Sequence, residues 1–167
     1  MVKSYQFIMG IDVGGTKIEA VLILLKPGGE FEVIERKRTP TKREQGYSLV
    51  LNRLVELIQD LSQKLPHKNR SLSGVGIGLP GTVDPESQLM LNGNTSLFVG
   101  RPLKSDLQEA LGNETLPIII ENDANCFILA ETKAGAGLLY EKETGRSIEE
   151  QIGIGIILGT GVGGGLI

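Results

Sequence analysis

Apolar positions in this chain fall into blocks that alternate or recur at helical spacing, separated by glycine-rich or polar links. YQFIMGIDV (5–13), KIEAVLILL (17–25) and FEVIERKRT (31–39) are β-rich, and the links between them, GGT and KPGGE, have hairpin length. They predict three antiparallel strands in a meander. From Tyr47 to Leu65, Val50, Leu54, Leu57, Ile58, Leu61 and Leu65 recur at helical spacing with Arg53, Glu56, Asp60 and Lys64 between them. That predicts an amphipathic helix lying on the sheet. LPHKNRS breaks the pattern, and LSGVGIGL (72–79) predicts a buried strand running into PGTVDP. PLKSDLQEALG (102–112) predicts a short helix closed by Gly112, LPIIIE (116–121) a buried strand, and Ala124 to Ala134 a helix entered through NDAN. GAGLLYEKETGRSIEE reads as a polar surface connection. IGIGIIL (152–158) then resumes as strand, turning through GTGVGGG into a hairpin that has barely begun at Ile167.

Three meander strands followed by strands alternating with helices imply a mixed α/β sheet, covered on both faces once complete. At 167 residues the chain has the length of one domain with its own core. Hydrophobic residues at 40% and charged residues at 22% are those of a folded globular protein. Glycine is the outlier, 23 residues against a usual share of about 7%, and most of the excess follows apolar runs. A formal charge of −3 without a block of Lys and Arg supplies no electrostatic footprint for nucleic acid or an anionic membrane. The single cysteine, Cys126, allows neither a disulfide framework nor a cysteine metal site, which fits a reducing cytoplasm. The N-terminus runs straight into a patterned strand, and no apolar run approaches membrane-spanning length, so neither a signal peptide nor a membrane span is expected.

Two stretches match G-x-G-x-x-G, Gly76/Gly78/Gly81 and Gly159/Gly161/Gly164. Neither opens a helix as a dinucleotide fingerprint must, and there is no G-x-x-x-x-G-K-[ST]. GIDVGGTK has two readings. One is an ordinary hairpin in which Gly14 and Gly15 supply positive φ. The other is a phosphate turn, in which backbone N–H groups and the Thr16 hydroxyl bind phosphate oxygens and Asp12 holds Mg²⁺ through water. GTGVGGG, with Thr160, allows the same pair of readings. Asn122 and Asp123 stand where a buried strand meets a helix, so they are either capping residues or groups that take and orient substrate hydroxyls. Asn92 and Asn94 are hydroxyl readers or turn formers. His67 lies in the polar breaker as a surface residue, and Glu131 is expected in a surface or interdomain ion pair.

GIDVGGTKIEAVLI, GIGLPGTVDP, NGNTSLFVGRPLKSDLQEALG, ENDANCFILAE and ILGTGVGGG stand in the order seen in ROK-family sugar kinases, within the actin-like, ribonuclease-H-like ATPase group. The whole chain resembles the N-terminal domain of a bacterial hexose or N-acetylhexosamine kinase. The resemblance implies that residues 1–167 form that domain. It implies a first phosphate motif of Asp12, Gly14, Gly15, Thr16 and Lys17, and a second of Thr160, Gly161, Gly163 and Gly164. Asp123 is then the catalytic base that deprotonates the sugar hydroxyl attacking the γ-phosphate of Mg·ATP. Asn122, Asn94, Gly81 and Thr82 fall on sugar-contacting positions. Such kinases also carry an adenine pocket, further sugar-binding glutamates, a histidine and a cysteine-rich zinc motif, none of which matches this sequence. The chain alone is therefore expected not to phosphorylate sugar. Two other readings stand beside this one: a sugar-sensing regulator built on the same core, and a non-catalytic fragment that self-associates, as a homodimer for instance, through exposed apolar surface and a sheet edge.

Overall fold

The computed structural model describes residues 4–65, 71–92, 96–147, 150, 152–158 and 162–167. The chain divides into two compact units, residues 1–120 and 121–167. His67 lies outside the described residues.

In the first unit β1 (Gln6–Val13), β2 (Lys17–Leu25) and β3 (Phe31–Pro40) form the predicted meander, and β4 (Gly74–Leu79) runs parallel to β1 on its other side. β7 (Ile118–Asn122), most of which belongs to this unit, completes a five-stranded sheet in the order β3-β2-β1-β4-β7. The register places one apolar face together. Met9 lies opposite Leu22 and beside Val75, and Ile11 opposite Ala20 and beside Ile77. All six are buried, and α1 (Tyr47–Ser62) adds Val50, Leu54, Leu57, Ile58 and Leu61 to the same core. A three-residue 3-10 turn, Arg43–Gln45, precedes α1. The predicted helix from Tyr47 to Leu65 thus stops three residues early, where Gln63 N–H returns to the Gln59 carbonyl.

Two short strands escaped the periodicity: β5 (Thr82–Val83) pairs antiparallel with β6 (Met90–Asn92). Two or three residues are too few to display a period. The segment that follows β6 returns on itself, with Gly100 N–H donating to the Met90 carbonyl and Met90 N–H to the Arg101 carbonyl. Phe98 anchors it in the core and meets the Tyr47 ring edge-on at 6.1 Å. The Tyr47 hydroxyl donates to Asp106 Oδ2 at 2.6 Å, and the Arg101 guanidinium stacks 5.0 Å from the Tyr47 ring centre. Burial first, then the Asp106 carboxylate, pushes the Tyr47 phenol above its ordinary pKa. This cluster ties α1, the returning segment and α2 (Leu103–Ala110) together.

The second unit contains α3 (Asp123–Ala134), α4 (Ala136–Thr144) and a hairpin of β8 (Ile154–Leu158) and β9 (Val162–Leu166). α4 corrects the expectation of a polar connection, since AGLLYEKET is helical although it buries no residue. Glu131 explains its start. Among the described residues it enters no ion pair, and its Oε2 accepts from Ala136 N–H at 3.0 Å and fills the space a side chain at Gly135 would need. The hairpin is complete rather than barely begun, with paired register from Ile154↔Leu166 to Leu158↔Val162.

On β2 and β3, Glu19 collects three cations. Arg38 grips it with two hydrogen bonds, Nε to Oε2 at 2.6 Å and Nη2 to Oε1 at 3.1 Å, while Arg36 stands 3.2 Å and Lys17 3.8 Å from its oxygens. The Arg38 hydrogen bonds, helped by the charges of Arg38, Arg36 and Lys17 and opposed by partial burial, hold the Glu19 carboxyl below the ordinary glutamate value. A group with a lowered folded pKa contributes stability above its ordinary value and loses it as pH falls through the lower folded value. Thermal melts across acid pH should show wild type gaining over Glu19→Gln as pH rises towards 4.5, with no further gain above it. Leu54, with 0% of its surface exposed, sits at the centre of the core. Leu54→Ala should lower unfolding free energy by about 2–5 kcal/mol in a urea titration.

Candidate functional site

The turn between β1 and β2 is closed by Gly14 N–H donating to the Lys17 carbonyl at 2.9 Å. β1 and β2 form the antiparallel hairpin that the sequence allowed, but neither Gly14 nor Gly15 has positive φ, so that reason for the two glycines is corrected. Space is what the glycines supply. A Cβ at Gly14 would lie 3.1 Å from the Lys17 carbonyl oxygen, and one at Gly15 would lie 3.3 Å from Arg43 Nη1. Thr41, 2% exposed, holds the turn from the end of β3. Its hydroxyl donates to the Gly14 carbonyl at 2.7 Å and its N–H to the Thr16 carbonyl at 2.9 Å. Both grips are on carbonyls. The N–H groups of Gly15 and Thr16 donate no hydrogen bond to the described residues and sit on an exposed turn. Two adjacent amides are thereby offered to an anion.

Asp12, exposed at the end of β1, lies opposite Glu19 and beside Gly78 of β4. Two carboxylates facing each other across a ladder repel. Here the three cations on Glu19 compensate one of them, and Lys17, a predicted phosphate ligand, directs its charge toward Glu19. Mg²⁺ is ordinarily held by one or two carboxylates, several waters and the phosphates themselves. Asp12 next to an anion turn fits that requirement. The described residues form no group of three or more His, Cys, Asp or Glu that could hold a metal by themselves.

Gly81 is buried and Thr82 exposed just beyond β4, the strand that runs parallel to β1. The β5–β6 register sets Thr82 against Asn92, which fixes the strand leading toward Asn94. Asn94 itself lies outside the described residues, as do Thr160 and Gly161.

In the second unit Asn122 caps α3, and the cap is shared. Ala124 N–H donates to Asn122 Oδ1 at 3.0 Å and to Asp123 Oδ1 at 2.9 Å. Asp123 is half-buried, and its Oδ2 takes no hydrogen bond from the described residues. The two sequence alternatives therefore coexist: one oxygen caps while the other keeps a lone pair for a substrate proton. Gly163 and Gly164 differ in surroundings. A Cβ at Gly163 would touch Ala124 Cβ at 3.5 Å, whereas at Gly164 the nearest atom would be 3.9 Å away. The tight position is Gly165, where a Cβ would collide with the Ala124 carbonyl and lie 2.9 Å from Ile128 Cγ2.

Sequence periodicity missed Thr41 and Arg43. The segment TPTKRE has no apolar period, and only the pairing of Lys17 with Pro40 brings it to the turn.

The ROK family model matches residues 8–167. The chain belongs to the ROK family. It is 37% identical over 158 residues to the N-acetyl-D-glucosamine kinase of Yersinia enterocolitica, covering 95% of this chain and 45% of that protein. It spans about half the length of the curated relatives it matches. Among solved structures it resembles a ROK family glucokinase from Streptomyces griseus in complex with glucose and AMPPNP, at 28% identity and TM-score 0.72 over 96% of this chain and 44% of that one. A ROK hexokinase from Thermus thermophilus matches at 27% identity and TM-score 0.69, over 97% and 47%. The ribonuclease-H-like, actin-like ATPase fold expected from the motifs is the fold found.

Close approach of β9 to α3 in this ROK chain makes the glycines testable one at a time. Gly165→Ala should cost about 1–3 kcal/mol in chemical denaturation because backbone stands where its Cβ must go. Gly164→Ala should be at least as stable as wild type, gaining up to about 1 kcal/mol, so any loss of nucleotide binding it causes would be a local effect on the second phosphate motif.

Proposed function

We propose that the protein transfers the γ-phosphate of ATP to a hydroxyl of a hexose or N-acetylhexosamine, with N-acetyl-D-glucosamine the first sugar to try. Residues 1–167 supply the N-terminal half of that kinase, working in the cytoplasm. The observation that carries the reading is the divided carboxylate of Asp123, with Oδ1 tied to the start of α3 and Oδ2 uncommitted among the described residues. A base positioned by its own helix cap is oriented before substrate arrives, which is the condition for efficient proton abstraction. The 37% identity to an N-acetyl-D-glucosamine kinase supports the choice of sugar.

In this mechanism Asn122, Gly81, Thr82 and Asn94 orient the sugar, and Asp123 accepts the proton of the attacking hydroxyl. The hydroxyl oxygen forms a bond to the γ-phosphorus as the bond to the bridging oxygen breaks and ADP departs. Phosphoryl transfer needs mainly alignment and charge compensation from the protein. The turn at Gly14–Thr16, with Thr160, Gly161, Gly163 and Gly164, holds the phosphates, and Asp12 would hold Mg²⁺ through water. The ion supplies positive charge to the phosphate oxygens.

Asp123→Asn keeps a capping side chain but lacks the base. In the full-length kinase, sugar-dependent ADP release should fall about 10²–10⁴-fold, while sugar binding by calorimetry stays within a few-fold of wild type. An unchanged kcat would remove Asp123 from the mechanism.

A further inference from the structure

The phosphate turn lacks the cation that its sequence advertises. Lys17 follows GGT directly, yet its ammonium lies 3.8 Å from Glu19 Oε2, within a cluster already holding Arg36 and Arg38. The anion expected at Gly15 and Thr16 would have to draw Lys17 away from a carboxylate.

A different cation is already at the turn. Arg43 comes from the corner between β3 and α1, and its Nη1 occupies the place a Gly15 side chain would contact, 3.3 Å from an ideal Cβ. Its guanidinium enters no ion pair or side-chain hydrogen bond among the described residues, and the residue is exposed. The corner that delivers it is fixed. Thr41, two residues earlier, makes the two hydrogen bonds to Gly14 and Thr16, and Lys42 between them takes a left-handed conformation at φ 51° and ψ 47°. Such a conformation is unfavourable for a non-glycine residue and persists where its surroundings impose it. The result is a planar, always-charged donor beside two amides that are unpaired among the described residues, a combination suited to the oxygens of a polyphosphate.

We propose that Arg43 is a phosphate-binding residue of this site, contacting the terminal phosphates of the nucleoside triphosphate held at Gly15 and Thr16. The inference rests on the phosphate reading of the turn given above and adds a ligand from a segment that reading did not include.

The test is calorimetric titration of the protein with Mg·ATP, AMP and inorganic tripolyphosphate, for wild type, Arg43→Gln, Arg43→Lys and Lys17→Gln. Losing one charge-assisted contact should weaken Mg·ATP and tripolyphosphate binding about tenfold or more in Arg43→Gln, with AMP changed less than about twofold. Arg43→Lys should recover part of the affinity. Lys17→Gln should lose less than Arg43→Gln. The melting temperature of each variant monitors the fold, and Arg43→Lys keeps the charge should Arg43→Gln lose stability. Wild-type affinity for tripolyphosphate in Arg43→Gln, or a larger loss in Lys17→Gln, overturns the role of Arg43 and leaves the phosphate turn standing. Failure of wild type to bind either Mg·ATP or tripolyphosphate overturns both.

Discussion

A turn that is to bind an anion through its backbone must be rigid without spending its own N–H groups. The Thr41 grip meets that constraint. Its hydroxyl and amide both act as donors toward the Gly14 and Thr16 carbonyls, so the turn is held by its acceptors while the Gly15 and Thr16 donors stay available. A tighter internal hydrogen-bond pattern would give a more ordinary hairpin and leave nothing for a ligand. The remainder of the first unit serves this placement. β3 must pair with β2 as far as Pro40 to bring Thr41 to Thr16, and α1 covers the sheet so that the pairing survives.

Charge is partitioned along the same strands. Asp12 and Glu19 oppose each other in register, and an uncompensated pair would weaken the ladder where the turn begins. Arg38, Arg36 and Lys17 converge on Glu19 alone. The compensation therefore belongs to a structural carboxylate, and the charge of Asp12 is not consumed by that cluster. This separation allows the turn end of the β1–β2 pair to carry both a stabilising ion network and an acidic residue suited to a hydrated cation.

Much of the fold was legible because burial on one face writes an alternating or helical period into the sequence. The meander strands, α1, α2 and α3 all appear within a few residues of the periodic blocks. β5 and β6 were illegible because strands of two and three residues have no period, and α4 because a helix that buries nothing has no apolar stripe. The site was legible in part for a different reason. Asp12, Asn122 and Asp123 stand out as polar residues ending apolar strands, which is costly unless they are solvated, paired or hold a ligand. Thr41 and Arg43 carry no such anomaly. A threonine and an arginine in a polar corner look like surface residues until strand register brings them to the turn.

The glycines show why composition alone misleads. Their excess in GTGVGGG invites a single explanation, yet neighbouring positions answer to different constraints. Gly165 is required because β9 lies against the Ala124 backbone, and Gly155 because a Cβ there would lie 2.8 Å from Ile128 Cβ. At Gly163 and Gly164 a Cβ would meet its nearest neighbour at 3.5 and 3.9 Å, ordinary contacts, and neither φ is positive, so neither packing nor backbone handedness demands glycine there. A glycine without a structural reason costs conformational entropy on folding, roughly 0.5–1 kcal/mol relative to alanine in a strand. Close approach of a ligand to the backbone is a remaining physical reason to keep it. Among the described glycines of this hairpin, that cost sets Gly163 and Gly164, which the packing does not require, apart from Gly155 and Gly165, which it does.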